Sequence, residues 1–371
     1  ATTEIYTLSL HDALPISELL SDKNQQVFYY RKVLWQYLVD NHGFTGVYCN
    51  FCHYLRKYPE FDSYFRRSKS SDNNKVTVRF ETPMGKQAQL DWKESIPFIL
   101  SSGETIDVNI FVLLLSYSRF RVYRVSLSKT QNILFSFLDD AFETFGGIPE
   151  EIVTDNMRTV MDEARTEYFV GKVNNKFQKF ADDYGFKVHP CIAGRPRTKA
   201  KVEAPMKILD EIRAYNGKLN YRELVELVTR INNRVNTQVN QGTGRIPLMY
   251  FTKEKAFLHS LPTNTIRKPY QITTNTVKIN HSSMFCYKGC QYSVPPEYIG
   301  KIVSLQVYDG YVHVYCNTQL ITIHQLSSKK LNYISDHYVA IARKSHIFKD
   351  EHIVDRAKEN LEIIGKVYNY E

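Results

Sequence analysis

Nowhere in this chain of 371 residues do about 18 apolar residues follow one another, the length that a membrane-spanning helix needs. The longest apolar run, Ile110 to Leu115, is only the size of a strand. There is no basic start leading into an apolar stretch and a small-residue cleavage site, so no secretion signal is read. Internal repeats and low-complexity tracts are missing too. Cysteine is scarce: six, scattered, cannot make a disulfide framework. Cys49-Asn50-Phe51-Cys52-His53 matches the haem-attachment string, but that chemistry needs export. The same segment has Val47, Phe51, Leu55 and Tyr58 along one side of a helix, and its thiols are expected to be buried. A zinc site shared with Cys286 and Cys290 lacks a second close ligand pair near Cys49 and Cys52. The expectation is a soluble, cytoplasmic protein with no membrane partner.

What the chain has in excess is positive charge. Its formal net charge is +9, which suits a polyanionic partner. With 43% hydrophobic and 13% aromatic residues it can build packed cores, and its length allows two or three domains.

The first seventeen residues, ATTEIYTLSLHDALPIS, read as foreign: Thr7 to Ile16 resembles a translated frame of a sequencing adapter. They are set apart from the fold argument. Residues 18–75 read as a helical segment and linker. Helix spacing runs through Glu18 to Tyr58, broken at Gly43 to Gly46, and Arg66 to Asn74 is polar. Two short helices beside Arg56-Lys57 fit part of a helix-turn-helix DNA reader or a plain helical pair equally well.

From Val76 the period becomes that of strands. Lys86 to Trp92, Thr105 to Tyr117 and Phe120 to Ser128 are expected strands, followed by a helix at Thr130 to Phe145 closed by Gly146-Gly147. A strand at Ile148 to Thr154, a helix at Glu167 to Tyr184, a strand at Phe186 to Cys191 and a long helix from Thr198 through Ala214 complete residues 76–215. Three strands, helix, strand, helix, strand, helix is the order of an α/β, ribonuclease-H-like fold. Residues 216–265 read as a helical connector. Residues 266–326 are short strands with turns at Lys288-Gly289, Pro295-Pro296 and Asp309-Gly310, as in a small β-barrel. Residues 327–371 form a basic tail, helical at its end.

Three acids stand out within this order. Asp91 lies on the first strand, where a charge is costly without a partner. Asp155 ends the fourth strand, and Glu203 lies early on the helix after the fifth. First and fourth strands are neighbours in this topology, so the acids can converge. Bare carboxylates would repel; sharing divalent cations stabilises them, and hard oxygen donors select Mg²⁺ or Mn²⁺. Two such ions about 4 Å apart suit phosphodiester chemistry. Arg195, Arg197, Lys199 and Lys201 precede Glu203 where phosphates would pass, and Lys207 follows one helical turn later on the same side. Asp107, Asp139, Asp140 and Asp182-Asp183 have no evident convergent partner and read as surface charges; His189 reads as a core or edge histidine.

The strings Gln87-Ala88-Gln89-Leu90-Asp91-Trp92, Ile152-Val153-Thr154-Asp155-Asn156 and Lys199-Ala200-Lys201-Val202-Glu203 resemble the retroviral-integrase catalytic core of bacterial insertion sequences. More narrowly the chain resembles the IstA transposases. Ser118-Arg119 after the second strand, Gly244-Arg245-Ile246-Pro247 in the connector, and Tyr287-Lys288-Gly289 with Tyr292-Ser293-Val294-Pro295 support this, and the match runs from about Leu34 to Leu326. The resemblance implies an integrase core flanked by an N-terminal helical segment and a C-terminal small β-barrel. It implies a DDE recombinase whose metal ligands are Asp91, Asp155 and Glu203, holding two Mg²⁺ ions that Mn²⁺ can replace. Water and then the element's 3′-hydroxyl would be the nucleophiles for 3′-end processing and strand transfer. Double-stranded DNA, an IstB-like AAA+ ATPase, a homo-oligomeric state and a bacterial, nucleoid-associated location are implied with it. The family's N-terminal end-reading region is absent or reduced to Glu18 to Tyr58, so an inactive DNA-binding remnant is the alternative. A nuclease relative acting on RNA–DNA hybrids is a third reading, disfavoured by the barrel and basic connector.

Overall fold

The computed structural model describes residues 16–20, 27–66, 81–192, 206–308, 310–317, 319–345 and 352–368. Most of the segment read as foreign, the linker from Arg67 onward, and Arg195, Arg197, Lys199, Lys201 and Glu203 lie outside these residues.

After a single helical turn at Ile16–Leu19 come three helices: α1 (Arg31–His42), α2 (Tyr48–Lys57) and α3 (Pro59–Arg66). Gly43, at φ 61°, closes α1 in the left-handed conformation that glycine adopts without a Cβ clash. Cys49 is exposed and Cys52 half-buried, which corrects the expectation of buried thiols. The inward positions of α2 are taken by Phe51, Tyr54 and Leu55.

Strands β1 (Gln87–Ile99), β2 (Thr105–Leu115), β3 (Arg121–Ser126), β4 (Glu151–Thr154) and β7 (Lys187–Pro190) make one five-stranded sheet in the order β3-β2-β1-β4-β7. The first three form an antiparallel meander; β4 and β7 join in parallel. Helix α4 (Gln131–Phe145) connects β3 to β4. Thr130 caps its first turn, and Gly146, at φ 69°, closes its last.

The helix expected at Glu167 to Tyr184 begins instead at α5 (Asn175–Tyr184). Asn174 accepts from the Lys176 and Phe177 amides and starts the helix there. Ahead of it, β5 (Met161–Glu163) and β6 (Lys172–Val173) form a hairpin. Gly171 lies at φ 79°, and a Cβ there would meet Arg165 N at 2.8 Å. The backbone passes too closely for any other residue, so the sequence turns where helix periodicity suggested continuity.

One face of the sheet (Ala88, Leu90, Trp92, Phe111, Leu113) packs under α4 and α5. The opposite face (Ile96, Phe98, Ile110, Val112) is covered by α1 to α3, a 3-10 helix at Leu209–Tyr215 and α6 (Tyr221–Thr237). The long helix expected through Ala214 is therefore tightened to 3-10 geometry from Leu209 onward. The N-terminal helices spend their apolar sides on the sheet: Tyr37 stacks edge-on against Tyr215 at 5.2 Å, and Asn41 donates to the Tyr215 hydroxyl at 2.9 Å.

The connector contains α7 (Pro247–Glu254) and α8 (Asn264–Arg267). Beyond it, β8 (Thr273–Lys278), β11 (Ile302–Tyr308), β12 (Tyr311–Cys316) and β13 (Gln319–Gln325) form a four-stranded sheet, and β9 (Met284–Tyr287), β10 (Cys290–Ser293) and β14 (Leu331–Asn332) a three-stranded one. They enclose a shared core of Phe285, Tyr292, Val303, Leu305, Val312 and Val314; among the described residues the strands do not close into a barrel. The tail carries α9 (Ser335–Ser345) and α10 (Ile353–Tyr368). No described helix is long and apolar enough to cross a membrane.

Candidate active site

The parallel ladder between β1 and β4 sets the site. Gln87, Ala88, Gln89 and Leu90 pair with Glu151, Ile152, Val153 and Thr154. The paired register ends at Leu90 and Thr154, and Asp91 and Asp155 are the next residues in each stretch of chain. Asp91 pairs on its other side with Val112, which lies in the core beneath α6, so its carboxylate belongs to that face of the sheet. Its Oδ1 accepts from the Trp92 amide at 2.9 Å. Asp91 is half-buried and Asp155, just past the strand end, is exposed.

The far end of the same strand pair is fastened by side chains. Gln87 donates to Glu151 at 2.8 Å, and Lys86 donates to Glu150 at 2.6 Å. That hydrogen bond holds the Glu150 carboxyl below its usual range. The near end is fastened by Asn156, which donates to the Cys191 carbonyl at 3.0 Å and accepts from the Arg165 amide at 2.8 Å. Arg165 in turn donates to the Pro190 carbonyl at 2.9 Å, so the β5–β6 hairpin is tied across the ends of β4 and β7 beside Asp155.

A β-bulge in β1 shapes the face. Between Lys93 and Ile96 the strand takes one residue more than β2 does between Ile110 and Val108. Ser95 takes a positive φ of 48° there, and its amide donates to the buried Asn109 side chain at 3.0 Å. The extra residue puts Ile96 and Phe98 on the same face as Asp91 and Lys93, where alternation alone would have put Ser95 and Pro97. Lys93 lies 2.8 Å from Asp210 and donates to the Met206 carbonyl at 3.0 Å. The chain that follows Glu203 is thereby drawn onto the Asp91 face. Arg234 of α6 adds a bidentate grip on Glu211, whose carboxyl is pushed up by burial and pulled back by that guanidinium.

Of the residues expected at the site, Asp91 lies on β1 and Asp155 one residue past the end of β4. Lys207 is exposed, with its ammonium 5.9 Å from the centre of the Tyr29 ring. Among the described residues no group of three or more His, Cys, Asp or Glu gathers as a metal site. His189 is exposed on the edge strand β7. Asp139, read as a surface charge, is 1% exposed and takes Arg267, Tyr184 and Gln271. Asp183 takes the Tyr270 hydroxyl. Those partners come from distant parts of the chain, so no local pattern could announce them. Sequence reasoning also passed over Lys93; its one visible signal was a lysine at an inward position of an apolar strand.

A mixed sheet in the order 3-2-1-4-7, with Asp91 on β1 and Asp155 just past β4, fits the catalytic core of an integrase-type polynucleotidyl transferase. Residues 84–196 match the integrase core domain, and residues 266–336 match the C-terminal domain of Mu transposase. The transposase of insertion sequence IS232 from Bacillus thuringiensis subsp. berliner is 54% identical over 96% of this chain and 83% of its own length. A putative IS5376 transposase from Geobacillus stearothermophilus is 32% identical over 72% of this chain and 66% of its own. The IS21 transposase from Pseudomonas aeruginosa is 29% identical over 71% and 67%. The chain belongs to the IS21-type (IstA-type) insertion-sequence transposases, and it is a DDE polynucleotidyl transferase.

Proposed function

We propose that Asp91, Asp155 and Glu203 jointly hold two divalent ions and that the protein performs 3′-end processing and strand transfer on the ends of its insertion sequence. What supports this is the parallel β1–β4 ladder, which pairs Leu90 with Thr154, the residues just before Asp91 and Asp155. The donor set fits the group: carboxylate oxygens, one half-buried and one open to solvent, are hard ligands that suit Mg²⁺, with Mn²⁺ as substitute. When bound, a metal pair of this kind activates the attacking oxygen and stabilises the leaving one.

The protein's own part is placement. The ladder joins β1 to β4 up to Leu90 and Thr154, next to Asp91 and Asp155, and the Asn156 tie keeps the end of β4 from splaying. Arg195, Arg197, Lys199, Lys201 and Lys207 would supply contacts to the DNA backbone, giving salt-sensitive and largely sequence-independent binding. The exposed Arg56 and Lys57 at the end of α2 add to that surface. The two C-terminal sheets serve as the family's small barrel and grip duplex DNA. An IstB-like ATPase and a multimer bridging both ends complete the assembly. The domain limits follow the sequence reading, with 76–215 as the catalytic unit.

Asp91→Asn tests the reading in a strand-transfer assay on the element's own terminal DNA, with and without the ATPase helper. Mg²⁺-dependent joining should vanish while duplex binding stays near normal. Equal loss of binding would make Asp91 a structural residue.

A further inference from the structure

We infer that Lys93 is a positioning residue for the catalytic acids: it clasps the segment following Glu203 against the strand that carries Asp91. The inference rests on the assignment of those acids in the preceding section. Lys93 stands two residues after Asp91 on the same face of β1, because Asp91 and Lys93 pair with Val112 and Ile110, which share one core. Its side chain is only 18% exposed. A lysine there is costly unless its charge is matched, whereas its β2 neighbours on that face are aliphatic.

One stretch of chain matches it from two directions. Asp210 Oδ2 lies 2.8 Å from the ammonium, and the Met206 carbonyl accepts from it at 3.0 Å. Met206 comes three residues after Glu203 in the sequence. A carbonyl contact fixes how far the segment slides along β1; a carboxylate contact one turn later fixes its roll. Together they fix Met206 and Asp210 against the strand that carries Asp91. Arg213 approaches the other Asp210 oxygen at 3.6 Å, which keeps that carboxylate turned toward Lys93. Metal ligands act only when held to a fraction of an ångström, and the groups that hold them are worth about 10- to 100-fold in metal affinity.

The test uses the full chain and Mn²⁺ as probe, with free ion counted by electron paramagnetic resonance. Lys93→Met should weaken Mn²⁺ binding by about tenfold, in the range of such supporting groups. It should slow strand transfer while leaving duplex affinity and cooperative melting unchanged, and excess Mn²⁺ should restore part of the rate. Lys93→Arg should recover the affinity. Wild-type Mn²⁺ affinity in Lys93→Met would overturn the proposal, as would a rate loss matched by lost duplex binding. If Lys93→Met fails to fold, Asp210→Asn carries the test, since it keeps the Met206 hydrogen bond; wild-type affinity and rate there would also overturn it. Asp91→Asn separates the two readings. Normal Mn²⁺ binding in Asp91→Asn sinks the acid assignment itself, while loss in Asp91→Asn beside no change in Lys93→Met sinks only the role of Lys93.

Discussion

Arg267 and Asp139 stand 128 residues apart in the chain and meet as a buried bidentate pair, with Nε at 2.7 Å and Nη2 at 3.1 Å from the two carboxylate oxygens. The pair joins the connector to the helix that covers the catalytic sheet. Tyr184 donates to the same carboxylate at 2.7 Å and Gln271 at 2.9 Å, so each oxygen of Asp139 is doubly satisfied. The guanidinium is held above its usual range by the hydrogen bond to Asp139.

Arg267→Ala would leave Asp139 charged and unmatched in the interior. Removing one partner of a buried pair costs about 3–5 kcal/mol. Denaturant unfolding should show this loss, and Asp139→Leu combined with Arg267→Met should regain much of it. A loss below about 1 kcal/mol, the level of an exposed pair, would mean that the pair is solvated.

Glu254 is fully buried and joins the connector to the sheet by two backbone hydrogen bonds, from Gly85 at 3.1 Å and from Ser118 at 3.0 Å. Glu254→Ala strands both amides, at about 1–3 kcal/mol each. Glu254→Gln keeps one acceptor and should fall between Ala and wild type in thermal melting. Equal melting of all three proteins would remove Glu254 from any role in docking the connector.

The C-terminal sheets carry a pH-dependent element. His324 lies 2.7 Å from the Ser293 carbonyl oxygen, and His337 bonds to the same residue at 3.1 Å. Burial lowers both imidazoles from their ordinary 6.5. The folded form keeps them neutral while the unfolded chain takes up protons below that value. Their contribution is therefore complete above pH 6.5 and is lost as pH falls toward the folded values. Amide exchange over residues 284–337, corrected for intrinsic rates, should speed up relative to the catalytic sheet between about pH 7 and pH 5.5. Uniform change across both regions would refute it.

How much of this was legible beforehand can be argued residue by residue. The strand order was readable because the apolar run at Ile110 to Leu115 and the alternation around Val122 are local signals, and so were the helix ends at Gly146 and Gly185. The second half of the hairpin, from Glu167, was read as helix because its turn depends on a close backbone pass at Gly171, which periodicity cannot express.

The sequence by itself determined the class of chemistry: an acid inside a central strand and another at a strand end are recognisable from residue type and hydrophobic period alone. Only the tertiary structure decided what holds them. Whether Asp139 was solvated or buried, whether α1 to α3 stood apart or roofed the sheet, and whether Lys93 was idle or clasped Met206 and Asp210 all depend on partners more than a hundred residues away. Such pairings arise from packing and desolvation across the whole fold, and the local pattern of a chain does not encode them.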